Sequence, residues 1–98
     1  MPLRLVVPME AAEGKRDELI ESFHIRSQEA RQENGCEEYE LYQSTERPDQ
    51  LVLLERWADQ EALDAHLELN KQKSPNTAAP IAPLRTGVTK VERYLMPD

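Results

Sequence analysis

Trp57 and His66 are the residue types in this sequence best suited to chemistry, with Glu55 two positions before the tryptophan. A neutral imidazole, with an unperturbed pKa of about 6.5, can take a proton from a ligand hydroxyl. The alternative for His66 is a core histidine bonded to a backbone carbonyl. Glu55 shares a strand face with Leu53 and Trp57, because side chains alternate between the two faces of a strand. If that face lines a pocket, desolvation raises the carboxyl's pKa and makes Glu55 a second candidate base; paired with an arginine it is structural instead. Trp57 offers a flat wall to an aromatic ligand. Of the strand aromatics Tyr39, Tyr42 and Tyr94, Tyr39 is assigned to the pocket.

Other chemistries find little support. One cysteine and two widely separated histidines, His24 and His66, do not make a zinc site. Cys36 has no acid–base partner near it in sequence and reads as a small buried hydrophobe, and His24 is expected at the surface. The chain has no Gly-rich phosphate loop, no G-x-S-x-G and no dinucleotide fingerprint.

The elements that must position these residues begin with L-V-L-L-E-R-W, residues 51–57, a strand with Leu51, Leu53, Glu55 and Trp57 on one face and Val52, Leu54 and Arg56 on the other. Asp59 then caps a helix, with acidic Glu61 in its first turn. At about 100° per residue, Ala62, Leu63, Ala65, His66, Leu67, Leu69 and Asn70 form one apolar arc with His66 near its middle. Earlier, Leu3–Met9 reads as a strand, and Lys15–Asn34 as a helix whose inward face is Leu19, Ile20, Phe23, Ser27 and Ala30, ended by Asn34-Gly35. Cys36–Ser44 is a second strand, with Tyr39 and Leu41 facing away from Glu38, Glu40 and Tyr42. Pro75, Pro80 and Pro83 make Ser74–Pro83 a loop, and Val88–Leu95 alternates as a last strand.

Strand, helix, strand, strand, helix, strand is the ferredoxin-like βαββαβ arrangement: an α+β domain spanning residues 1–98, with a four-stranded antiparallel sheet and both helices on one face. Helices cover only one side, so leaving either Val52 and Leu54 or Leu51 and Leu53 in water would forgo roughly 1.5–3 kcal/mol per side chain. An identical sheet from a second copy is the simplest cover, which predicts a homodimer.

With 98 residues and a formal charge of −7, nucleic acid and anionic membrane are poor partners, and a small-molecule substrate is expected. A single cysteine and the lack of an N-terminal apolar leader point to the cytoplasm.

The run E-N-G-C-E-E-Y-E-L-Y followed by L-V-L-L-E-R-W-A-D-Q-E-A-L-D-A-H-L resembles the G-C-x-x-Y-x-L … E-x-W-x-(D/S)-x-x-A-L-x-x-H signature of the antibiotic-biosynthesis monooxygenase family. That resemblance implies a dimeric α+β barrel. It further implies oxygenation of quinols or aromatic polyketides by molecular oxygen with no cofactor and no metal, in a pocket between sheet and helices. On this reading His66 and Glu55 are the catalytic candidates, and Trp57, Tyr39, Leu53 and Leu63 bind substrate. Leu53 and Leu63 stand where polyketide-oxidising members carry asparagine and tyrosine, and Lys71 stands where quinol-oxidising members commonly carry a second histidine. The haem-degrading branch needs an asparagine in the first strand and a histidine after the second helix, and both are missing. The closing Leu95-Met96-Pro97 is similar to that of the isomerase of phosphorylated autoinducer-2. The readings are therefore a quinol-type monooxygenase, an isomerase of the same fold, or a non-catalytic ligand-binding dimer.

Overall fold

The computed structural model describes residues 1–72, 81–88 and 90–97. Its strands are β1 (Leu3–Ala11), β2 (Cys36–Gln43), β3 (Gln50–Trp57), β4 (Arg85–Val88) and β5 (Glu92–Leu95), and its helices α1 (Arg16–Ala30) and α2 (Gln60–Gln72). The sheet runs β2-β3-β1-β4, with β5 also paired to β1, and all pairings are antiparallel. β4 and β5 thus form one edge in two pieces, which gives the expected ferredoxin-like α+β architecture.

β1 and β3 form the centre in unbroken register from Leu3 opposite Trp57 to Glu10 opposite Gln50. Their alternation buries Leu3, Val7, Met9, Leu51, Leu53 and Trp57 against Leu19, Phe23 and Ala30 of α1 and Leu63 of α2. β2 extends this face with Tyr39 opposite Glu55 and Leu41 opposite Leu53. On the other face, Val6, Pro8, Val52 and Leu54 are half-buried, Tyr42 is exposed, and Arg4 pairs with Glu38 and Arg56 with Glu37.

Three features differ from those read in the sequence: the end of α1, the width of the α2 arc and the course of the last strand. α1 ends at Ala30 rather than Asn34, and residues 31–35 turn instead. Gly35 adopts φ +85°, and a Cβ placed on it would lie 2.4 Å from that of Ala62. The turn is therefore set by a contact with α2 that helix propensity cannot anticipate. The apolar arc of α2 is narrower than expected, with Leu63 and His66 buried but Ala65, Leu67 and Leu69 exposed. Asp59 does cap α2, its Oδ1 accepting from the backbone N–H of Ala62 at 2.8 Å. The last strand begins at Arg85 and breaks after Val88. β4 pairs with Met9 and Ala11, and β5 with residues from Leu3 to Val6; the gap falls opposite Pro8, which has no N–H to donate to that edge. Most of the Ser74–Pro83 loop lies outside the described residues; from it, Ile81 is buried and a 3-10 turn runs over Ala82–Leu84. No helix among the described residues is long and apolar enough to cross a membrane.

Candidate active site

Because β3 alternates, Glu55 and Trp57 point under the helices, and α2, started by its Asp59 cap, brings His66 down onto the indole. The two rings lie 4.5 Å apart between centroids at 34°. Tyr39, two strands from β1, meets the imidazole edge-on at 5.7 Å and 61°. Trp57 is 0% exposed, His66 3%, Tyr39 3% and Glu55 7%. Tyr39, Glu55, Trp57 and His66 therefore form one buried cluster. Leu53 and Leu63, both buried, flank it, Leu53 one inward position before Glu55 and Leu63 one helical turn before His66.

Both nitrogens of His66 are engaged, and by side chains rather than a backbone carbonyl. Nδ1 lies 2.8 Å from Oε1 of Glu33, and Nε2 lies 3.1 Å from the amide nitrogen of Asn70. A carboxylate accepts, so the proton sits on Nδ1 and Nε2 presents its lone pair to the Asn70 amide. The side-chain oxygen of Asn70 is buried with no partner among the described residues, so that amide is held at one end only.

Glu55 differs from the arginine-paired alternative. Its Oε1 accepts from the Trp57 indole N–H at 3.0 Å. Burial raises its pKa above the ordinary carboxylate value; the indole bond and His66 pull it down, and Glu33 pushes it up. Burial also raises the Tyr39 hydroxyl, with Glu55 adding to the effect and Arg26 opposing it. Tyr39 is thus a neutral hydroxyl at any ordinary pH. The Cys36 thiol is pushed up to about 11, first by burial and then by Glu33 and Glu55, a poor setting for a nucleophile. His24 is exposed beside Gln28. Among the described residues no three His, Cys, Asp or Glu side chains gather as a metal-binding set.

Sequence reasoning missed Glu33, whose side chain is only 12% exposed. Extending α1 to Asn34 hid it among solvated helix positions. Asn70 was legible as a member of the arc one turn beyond His66, but not as its partner. Glu33 also walls a groove of about 440 Å³ between the turn after α1 and the first turns of α2, shared with Asp59, Glu61, Ala62 and Leu69. It is therefore the member of the His66 network that meets solvent there.

The family model described as antibiotic biosynthesis monooxygenase matches residues 2–74. Among solved structures, Rv0793 from Mycobacterium tuberculosis is 27% identical with a TM-score of 0.80, over 100% of this chain and 97% of that one. A conserved protein from Methanosarcina mazei is 26% identical with a TM-score of 0.81, covering 96% and 91%. Protein SO0527 from Shewanella oneidensis is 26% identical with a TM-score of 0.80, covering 95% and 88%. None of the curated proteins compared matches the chain.

Proposed function

Since the chain belongs to the antibiotic biosynthesis monooxygenase family, we propose that it is a cofactor-independent oxygenase of a quinol or related polycyclic phenol, with His66 as its base. The observation that carries this is the clamped imidazole: Glu33 holds the proton on Nδ1, and the Nε2 lone pair faces an amide fixed at one end. A substrate hydroxyl displaces Asn70, gives its proton to Nε2, and leaves a phenolate. Glu33 then faces the imidazolium, which favours the transfer. The electron-rich anion itself supplies the four electrons that dioxygen takes up: one oxygen atom enters the ring, the other leaves as water with two hydrogens of the substrate, and the ring ends as a hydroxyquinone. Trp57 and Tyr39 supply flat, dry walls, and Leu53 and Leu63 keep the site apolar, which suits a quinol better than the polyketides whose oxygenases use polar groups there.

The half-buried residues of the open sheet face, Val6, Pro8, Val52 and Leu54, support a homodimer in which a second copy covers that face. Light scattering at micromolar concentration should return the dimer mass, and a monomer mass rules it out.

Oxygen uptake by purified, metal-free protein against hydroquinones, naphthols and anthrones tests the oxygenase reading, with His66→Ala and Trp57→Phe alongside. Uptake above autoxidation that falls in His66→Ala supports it. One observation favours a second reading, a non-catalytic binding dimer: the imidazole is almost fully covered and both its nitrogens are satisfied. Ligand binding with no uptake across the panel would select that reading. A proton transfer beside a carbonyl, with no oxygen consumed, would mark the isomerase.

A further inference from the structure

The helix-side face of the sheet has acid at one end and base at the other. Glu33 and Glu55 lie around His66. Beyond Tyr39, Arg85 of β4 stands directly opposite Ala11 of β1. Ala11 is buried on the helix side, and residues paired across an antiparallel ladder share a face, so Arg85 is directed under the helices and is half-buried. Arg26 approaches from above. It lies on α1 within about 60° of the centre of the buried stripe formed by Leu19, Phe23, Ser27 and Ala30, and is also half-buried. α1 also packs on the 3-10 turn Ala82–Leu84 that runs straight into Arg85. Burial lowers the Arg85 guanidinium and Arg26 lowers it further, and Arg26 opposes the rise that burial imposes on the Tyr39 hydroxyl.

Neither arginine has an ion-pair partner among the described residues, whereas Arg4, Arg16 and Arg56 each meet a carboxylate. Acid is not scarce, with 19 Asp and Glu against 12 Lys and Arg. Two like charges held close in half-buried surroundings repel each other, and an anion between them removes that repulsion. Guanidinium groups match planar carboxylates with paired hydrogen bonds, and the Tyr39 ring, on which both arginines act, meets His66 edge-on.

We propose that Arg26 and Arg85 form an anion subsite for the carboxylate of an aromatic substrate, whose ring runs past Tyr39 toward His66. The assignment rests on the His66 cluster being the reaction centre, and it narrows the substrate class to hydroxylated aromatic carboxylates.

Trp57 is the single tryptophan, so its indole N–H resonance reports binding without turnover. Titration with 1-naphthoate, its neutral amide and inorganic phosphate should show naphthoate binding at least tenfold more tightly than the amide. That preference should vanish in Arg26→Gln and Arg85→Gln and largely survive in Arg26→Lys and Arg85→Lys, which keep the charge. Equal binding of acid and amide overturns the subsite, as does an unchanged preference in the Gln variants or tighter binding of phosphate than of naphthoate. The oxygenase reading fails separately: no oxygen uptake with the preference intact leaves an anion-binding site on a non-catalytic protein, and uptake without the preference removes the subsite alone.

Discussion

The Nδ1–H of His66 is donated to Glu33 across 2.8 Å, joining the middle of α2 to the turn that follows α1. The bond closes one end of the helical layer over the aromatic cluster, and it sets the tautomer on which any proton transfer by His66 depends.

Glu33→Ala should therefore destabilise the protein as well as impair turnover. A mostly buried imidazole nitrogen left without its acceptor costs about 1–3 kcal/mol. Glu33→Gln keeps a carbonyl oxygen for Nδ1–H and should lose less. Urea denaturation of the two variants checks the order, and equal losses would mean that the bond is not the source of the effect.

Glu55 makes stability depend on pH in a stated direction. Its folded pKa is raised above the ordinary value of 4.5, so between these two values the folded state binds more protons than the unfolded chain. Stability from this group is then fully present below about 4.5 and falls as pH rises through the folded pKa. Glu55→Gln retains an oxygen for the Trp57 indole and removes the titration. Its stability relative to the parent should grow as pH rises from about 4.5 and then level off. Denaturation midpoints for both proteins between pH 4 and pH 8 measure this; a constant difference would contradict it.

Gly35 and Gly14 separate backbone strain from packing. Both have positive φ, at +85° and +75°, but a Cβ on Gly35 would overlap Ala62 while one on Gly14 meets nothing within 4 Å. Gly14→Ala should cost about 1 kcal/mol from conformation alone. Gly35→Ala adds overpacking of about 1–3 kcal/mol and should lower the melting temperature further. Similar losses in the two variants would show that the turn yields easily.

Cys36, raised to about 11 against an ordinary value of 9.0, should react with an alkylating or disulfide reagent near pH 8 about a hundredfold more slowly than an exposed thiol. Unfolding in urea should restore the ordinary rate. A fast reaction in the native protein would mean that the thiol is better solvated than its surroundings imply.

Local patterns carried much of this architecture. Alternation over residues 51–57 assigns Leu51, Leu53, Glu55 and Trp57 to one face because strand geometry repeats every two residues whatever surrounds it. The cap at Asp59 is equally local, since the carboxylate bonds an N–H three residues away. Together these put Glu55 with Trp57 on one strand face and His66 on an apolar helix arc; which sheet face lies under the helices, and with it the side that Tyr39 and Glu55 occupy, local periodicity left open.

What only the tertiary structure decided lies between segments far apart in the chain. His66 meets Glu33 across a separation of 33 residues, and no periodicity records which carboxylate will reach an imidazole. Helix propensity carries α1 past Ala30, whereas in the fold residues 31–35 turn and Gly35 comes close against Ala62. Leu67 and Leu69 are apolar at helical spacing yet exposed, because the sheet beneath α2 covers a narrower strip than the helix offers. Arg26 and Arg85 come together only when α1 packs on the 3-10 turn that leads into β4. Sequence alone determined which residues share a face and the order of the elements, since those follow from backbone geometry over a few residues. Packing decided which side chains meet, since that depends on where distant segments cross.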